Sequence, residues 1–205
     1  MSFYEDDRVV VHRLVTEPIE NNVWIVACRA TGEAVIIDAA GEADRIIYAV
    51  KPYQPRAILT THGHFDHVGA APAVKAALSI PLLIHPDDEQ LARLSADRPL
   101  VDDEVIRLGE LTLSTVHTPG HTPGSTCFVL TTDTGDKLLF SGDTLFPGGP
   151  GATRSKESSF EMIMDSLERR LFTMEDETRI LPGHGEDSTI GRERPSLGEW
   201  RARGW

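Results

Sequence analysis

Cysteine is scarce in this sequence. Its 205 residues include two cysteines, Cys28 and Cys127, and both lie in apolar runs typical of β-strands. This pattern predicts buried free thiols and argues against a disulfide framework or a cysteine metal site. Because free thiols persist in reducing compartments, it also favours a cytoplasmic location.

Long apolar runs are missing as well. No stretch approaches the roughly 18 apolar residues of a membrane-spanning helix, so no membrane is expected as a partner. The N-terminal segment MSFYEDDRVVVH is acidic and lacks the basic and apolar regions of a signal peptide, so none is predicted.

Cationic side chains are outnumbered by anionic ones. The sequence has 20 Lys and Arg residues against 32 Asp and Glu residues, which gives a formal net charge of −12. A surface of this sign repels phosphate backbones, so nucleic acid is not an expected partner.

The length of the chain suits one domain with a sizeable core.

Hydrophobic periodicity predicts hairpins mixed with strand–helix units. The predicted strands cover 8–15, 22–30, 34–38, 56–62, 81–85, 104–109, 111–118, 125–132, 137–143 and the start of 179–185, and the predicted helices cover 42–51, 67–78, 86–94 and 159–172. This order indicates an α/β architecture of mixed sheets faced by helices. The Arg-rich segment from Ser188, with Trp200 and Trp205, is expected to pack loosely or to serve in self-association.

The segment TTHGHFDHVGA, residues 60–70, concentrates side chains that bind metals. His62, His64, Asp66 and His67 lie where a predicted strand leads into a predicted helix. Imidazole nitrogen and carboxylate oxygen are ligands for borderline metals such as zinc. In an extended stretch the first three would share one side and His67 would point elsewhere, so this loop could serve two adjacent metals.

Two metals need more ligands than one loop supplies. Three distant segments offer them: HTPGHTPGS at 117–125, FSGDTLF at 140–146 and LPGHGE at 181–186. Each places a ligand-type residue at a strand end beside a glycine, which allows close backbone approach. Each alone is a weak signal, but together with the His-rich loop they indicate a metal centre.

These four motifs, in this order and with VIIDAA around Asp38, resemble the metallo-β-lactamase fold superfamily over nearly the whole chain. The resemblance implies a four-layered αβ/βα sandwich with two mixed β-sheets faced by helices. It implies a catalytic domain over 1–187, with 188–205 as a C-terminal tail and not a separate domain.

The resemblance also implies a dinuclear centre, with zinc as the expected metal and iron or manganese as alternatives. His62, His64 and His121 would hold the first metal, Asp66, His67 and His184 the second, and Asp143 would bridge both. Asp38 would support the ligand loop by hydrogen bonds, and His117 would have a supporting or packing role. His12 and His85 lie in predicted strands, and nothing marks either as functional.

Within the superfamily, the segment GDTLFPGG at 142–149 is most similar to the glyoxalase II-like (hydroxyacylglutathione hydrolase-like) group. That similarity implies cleavage of a small-thiol thioester by a hydroxide shared between the metals. Asp66 would orient this hydroxide or act as a ligand only. The sequence GGPGATR at 148–154 departs from the group's Gly-Cys-Gly-Arg, so the thiol carrier stays open.

Substrate contacts are predicted at Phe146, Arg154 and Lys156, with solvated surface charge as the alternative for the two cations. A mononuclear-iron persulfide dioxygenase, a lactonase and a non-catalytic metal-binding protein remain open, and so does a homodimer. A carboxylate at Asp143 argues against an antibiotic-hydrolysing β-lactamase, which usually carries another residue there.

Overall fold

Apolar segments rich in Val, Ile and Leu form two large mixed sheets in the computed structural model, which describes residues 2–204. The first sheet contains, in spatial order, β1 (Tyr4–Glu5), β2 (Val9–Thr16), β3 (Asn21–Cys28), β4 (Glu33–Ile37), β5 (Gln54–Leu59), β6 (Leu82–Ile84) and β7 (Arg98–Pro99). Its first four strands pair antiparallel and its last four pair parallel.

The second sheet comes mainly from the second half of the chain. Its strands are β8 (Val105–Leu108), β9 (Leu111–His117), β10 (Thr126–Thr131), β11 (Lys137–Gly142), β14 (Arg179–Pro182) and β15 (Ser188–Thr189), with a separate ribbon of β12 (Leu145–Phe146) and β13 (Gly149–Pro150). β11 and β14 pair parallel, so the residues that follow them emerge at the same edge.

Helices cover the outer face of each sheet. They are α1 (Ala43–Val50), α2 (Phe65–Val68), α3 (Ala71–Leu78), α4 (Glu89–Ala92), α5 (Phe160–Ser166), α6 (Ile190–Glu193) and α7 (Leu197–Arg203). None of the helices within residues 2–204 combines the length and the apolar character needed to span a bilayer.

Three apolar clusters separate the layers. β3 shows how, because Trp24 and Val26 point into the cluster between the sheets, whereas Ile25 points toward α1 and α3. This is the two-residue period of a strand that is buried on both faces. A third cluster lies between the second sheet and α5 and α7. The predicted four-layered αβ/βα sandwich is confirmed.

Several local predictions need correction. The helix predicted at 67–78 is two helices, α2 and α3, and Pro72 lies in the first turn of α3, where a missing N–H is tolerated. The helix predicted at 86–94 is a 3₁₀ turn over Pro86–Asp88 followed by the short α4. Cys28 and Cys127 are buried free thiols, as predicted.

The C-terminal segment packs firmly, so the expectation of loose packing is wrong. Its first residues form β15 against β14, and Trp200 is 2% exposed in the third cluster, with its ring 6.3 Å from that of Phe172. The two helices that follow β15 are short, so their apolar positions leave little periodic signal. Trp205 lies outside the described residues.

Replacing Trp200 tests this packing. Trp200→Ala is expected to lower the free energy of unfolding by about 3 kcal/mol, because it removes a large buried side chain and leaves a cavity. Denaturant unfolding measures the change, with exposed Glu199→Ala on the same helix as the control. Equal stability of the two variants would show that this segment does not contribute to the core.

Candidate metal centre

The ligand-type side chains lie at one edge of the sandwich, where strands of both sheets end. The His-rich loop follows β5, Asp143 follows β11, and His184 follows β14. His121 lies in the turn between β9 and β10. Gly142 has a positive φ of 50°, and a Cβ there would lie 2.5 Å from Thr61 Oγ1, so glycine is required for Asp143 to come this close to the His-rich loop.

The first group consists of His62, His64 and His121. His64 Nδ1 lies 3.0 Å from His62 Nε2 and 2.9 Å from His121 Nε2. All three nitrogens therefore face a common point, as they must to bind one ion.

The second group consists of Asp66, His67 and His184. His184 Nε2 lies 3.3 Å from both His67 Nε2 and Asp66 Oδ2. Two nitrogens and one carboxylate oxygen thus form a second candidate site beside the first.

Asp143 lies between the two groups. Its Oδ2 is 3.6 Å from His121 Nε2 and 3.8 Å from His184 Nε2, and its Oδ1 is 3.4 Å from His67 Nε2. Oδ1 is buried and, apart from this ion pair with His67, has no hydrogen-bond partner within residues 2–204. A buried carboxylate oxygen without a partner is costly unless a cation satisfies it. The donor set therefore fits a divalent metal on each side of Asp143.

Burial and charge shift the pKa values of these groups in opposite directions. Burial, with neighbouring His67 and His121, holds the pKa of His62 well below its usual range. Burial also acts to lower the pKa of His67, but Asp143 and Asp38 outweigh it and raise that pKa well above the usual value. His62 is thus ready to bind as a neutral imidazole, whereas His67 must release a proton first.

Asp38 fixes the His-rich loop from below. Its buried carboxylate accepts hydrogen bonds from Thr61 N and Thr61 Oγ1, both 2.7 Å, and from His67 Nδ1 at 2.9 Å. The Nδ1 contact leaves His67 Nε2 facing the centre, which is how a supporting carboxylate orients a ligand. Asp38 has a φ of 59°, a conformation that Asp and Asn tolerate better than most residues.

Other ligand-type side chains are oriented by backbone and amide groups. His121 Nδ1 contacts Ala152 O at 2.8 Å, which directs Nε2 to the centre. Asn21, at the start of β3, places Nδ2 3.1 Å from Asp66 Oδ2 and 3.2 Å from His184 Nε2. Asn21 was not predicted from the sequence. The feature that could have indicated it is the Asn21–Asn22 pair directly before an apolar strand.

His117 lies away from both groups. It contacts Pro123 O at 2.9 Å through Nε2 and stacks on His85 at 4.2 Å with an interplanar angle of 7°. With Asp87 these rings form another compact cluster, but one ion cannot lie in the planes of two parallel stacked rings. The geometry supports a packing role for the pair.

Two open grooves flank the centre. One, of about 390 Å³, is lined by Phe146, the glycine-rich loop and Arg154. The other, of about 470 Å³, is lined by His64, Phe65, Arg93 and neighbouring apolar residues. Lys156 is exposed on the same loop as Arg154 but does not line the first groove. Phe65 and Arg93 were not predicted as lining residues.

The metallo-β-lactamase superfamily model matches residues 16–184. Hydroxyacylglutathione hydrolase GloC of Haemophilus influenzae (strain ATCC 51907 / DSM 11121 / KW20 / Rd) is 33% identical over 80% of this chain and 85% of its own length. A protein of Aquifex aeolicus (strain VF5), described as uncharacterized, is 31% identical over 93% of this chain and 98% of its own length.

Solved structures resemble the chain at similar levels. The BLEG-1 B3 metallo-β-lactamase has a TM-score of 0.82 at 31% identity, and the match covers 90% of this chain and 96% of that one. ETHE1 from Myxococcus xanthus has a TM-score of 0.81 at 28% identity, covering 90% and 81%. TTHA1623 in a di-iron-bound form has a TM-score of 0.74 at 31% identity, covering 89% and 96%.

The chain therefore belongs to the metallo-β-lactamase superfamily of metallo-hydrolases. Its candidate His and Asp groups indicate divalent metals.

Replacing Asp38 tests how the loop is held. Asp38→Asn is expected to lower the free energy of unfolding of the metal-free protein by about 2 kcal/mol, because an amide cannot accept from all three donors. Asparagine keeps the size and tolerates the positive φ. Chemical denaturation measures the effect, with exposed Asp7→Asn as the matched control. No difference between the two variants would contradict the supporting role.

Proposed function

We propose that this chain is a metal-dependent hydrolase that cleaves thioesters of a small thiol, in the manner of the glyoxalase II-like group. One observation carries the proposal: two ligand groups meet at Asp143, whose buried Oδ1 makes no hydrogen bond to the described part of the chain. The similarity to a hydroxyacylglutathione hydrolase over most of both chains supports the substrate class.

In this proposal His62, His64 and His121 would hold one ion, Asp66, His67 and His184 would hold the other, and Asp143 would be shared between them. When bound, a pair of divalent ions would supply Lewis acidity and lower the pKa of bound water to roughly 7. Zinc is the metal we expect, with iron or manganese as alternatives, because nitrogen and oxygen ligands accept all three.

The chain's own residues bind and orient the substrate. The two grooves have different linings, so one can receive the acyl group and the other the thiol portion. Phe146, whose ring lies 6.4 Å from that of His184, and exposed Phe65 offer apolar contacts at the two mouths. A thiolate is a good leaving group, so the chain need not supply a strong general acid.

A second function has a specific observation in its favour. The structural similarity to ETHE1 from Myxococcus xanthus supports the persulfide dioxygenase alternative, in which one iron is held by two histidines and an aspartate. His64 or a neighbouring histidine would serve with His121 and Asp143, since His121 Nε2 lies 2.9 Å from His64 Nδ1 and 3.6 Å from Asp143 Oδ2. A lactonase is a third candidate, since it would use the same ligand set with a different pocket.

Metal content and a substrate panel separate these functions. Protein grown with ample zinc, iron and manganese is expected to contain about two ions per chain and to hydrolyse S-acyl thiols faster than a lactone or a cephalosporin. Elemental analysis and thioester absorbance measure both. One iron per chain with oxygen consumption on a persulfide would contradict the thioesterase. Preferential lactone or cephalosporin cleavage would do the same.

Asp143 provides a direct test of the shared carboxylate. Asp143→Asn is expected to lower kcat/KM by about a hundredfold or more and to reduce metal content, because an amide is a poor bridge between two cations. Asp7→Asn should retain both. Full metal content and full activity in Asp143→Asn would exclude the bridging role.

Arg154 is the proposed contact for an anionic substrate group. It is exposed and lines the groove beside Phe146. Arg154→Ala is expected to raise KM for a carboxylate-bearing thioester about tenfold and to leave KM for a neutral thioester unchanged. Lys156→Ala, which removes a neighbouring cation outside the groove, is the control. Equal KM values for the anionic thioester in Arg154→Ala and the parent protein would eliminate this contact.

A further inference from the structure

A second buried carboxylate, Asp88, lies beneath the centre and is not one of the seven ligand-type residues. It is fully buried at the start of α4. Its Oδ2 accepts hydrogen bonds from Gly63 N and Thr122 Oγ1, and its Oδ1 accepts one from Gly124 N, each at 2.7 Å. A buried carboxylate with three short contacts holds its partners at defined positions.

These partners belong to the two loops that carry the first ligand group. Gly63 lies between His62 and His64, and Thr122 directly follows His121. Asp88 therefore joins loops that are far apart in the sequence. The His64–His121 contact and a bond from Thr126 N to Thr61 O at 2.8 Å also link this region, but the first joins two candidate ligands and Thr126 lies beyond the His121 turn.

Glycine is required at both points of contact. A Cβ on Gly63 would lie 2.6 Å from Asp88 O, and a Cβ on Gly124 would lie 2.7 Å from Asp88 Cγ. Neither distance is compatible with a side chain. Gly63 in HGH (62–64) and Gly124 in the second HTPG (121–124) thus allow each loop to approach the carboxylate closely.

His64 depends most on this arrangement. Within residues 2–204, the hydrogen bonds of its ring are to His62 and His121, which are candidate ligands themselves. By contrast, His67 and His121 are oriented by Asp38 and by Ala152 O. The position of His64 is therefore set through its backbone, because the adjacent Gly63 N–H donates a hydrogen bond to Asp88.

We infer that Asp88 is the positioning residue of the first metal, holding the His62–His64 turn and the His121 turn at the spacing that three imidazoles need around one ion. The inference rests on the metal centre of the proposed function. The second group is contacted directly by Asp38 and Asn21, and Asp38 reaches the first group only through Thr61, which precedes His62. Loss of Asp88 should therefore act mainly on one of the two metals.

The test measures metal affinity rather than activity. Metal-free protein is titrated with Zn²⁺ against a chromophoric chelator, and anomalous scattering from partly loaded crystals shows which position loses its ion. Asp88→Asn is expected to weaken binding at the first position about tenfold or more, because the amide cannot replace both oxygens, and to change the second position much less.

Asp97→Asn is the matched control. Asp97 also accepts a backbone hydrogen bond, from Leu82 N at 2.7 Å, and pairs with Lys75, but it does not contact a ligand loop. Its substitution is expected to leave both metal affinities within about twofold. The melting temperature of each metal-free variant separates a general loss of stability from a selective loss of metal.

A milder pair of variants keeps the inference testable if Asp88→Asn does not fold. Thr122→Ser keeps the hydroxyl that donates to Asp88, whereas Thr122→Val removes it together with a contact to Ser125. Thr122→Val should weaken Zn²⁺ binding at the first position, and Thr122→Ser should retain the affinity of the parent protein.

The inference is overturned if Asp88→Asn binds both ions as the parent does, or weakens both positions equally. With an unfolded Asp88→Asn, equal affinities in the two Thr122 variants would overturn it. A parent protein that binds no metal would instead remove the proposed function, so the two failures are distinguishable.

Discussion

One constraint determines much of this structure: the seven ligand-type side chains must be held close together. Five imidazoles and two carboxylates converge at one edge of the sandwich, with nitrogen and oxygen atoms 2.9–3.8 Å apart. Burial penalises every charge among them, and neighbouring imidazoles suppress protonation of His62. Such a cluster is stable only if the fold imposes it, and a bound cation offsets the cost.

The two-sheet architecture imposes this cluster through strand ends. The parallel pairing of β11 with β14 brings Asp143 and His184 to one edge, and β5 of the other sheet delivers the His-rich loop to the same place. Buried carboxylates then fix the loops, with Asp38 below His67 and Asp88 between the turns of the first group. The ligand-type histidines can therefore keep their free nitrogens directed at the centre.

The sequence was sufficient to predict the fold and to point to the seven side chains that the structure brings together, because ligand chemistry requires particular residue types at strand ends. Their role as ligands stays a prediction. It could not single out Asp88 from the acidic run at 87–89, since only tertiary packing decides which of the three carboxylates is buried. Asn21 was hidden for a similar reason, as its contacts come from residues far along the chain. Residues that support a site are therefore harder to recognise from the sequence than residues that form it.

The C-terminal segment also provides support that the sequence did not reveal, in this case at the groove beside the site. Buried Glu193 accepts a hydrogen bond from Gly148 N at 2.8 Å through Oε2, and a short one from Ser188 Oγ through Oε1. Gly148 belongs to the loop that lines the groove beside Phe146. With Trp200 packed in the core, this segment supports that loop, so the shape of the groove depends on residues that show little periodicity in the sequence.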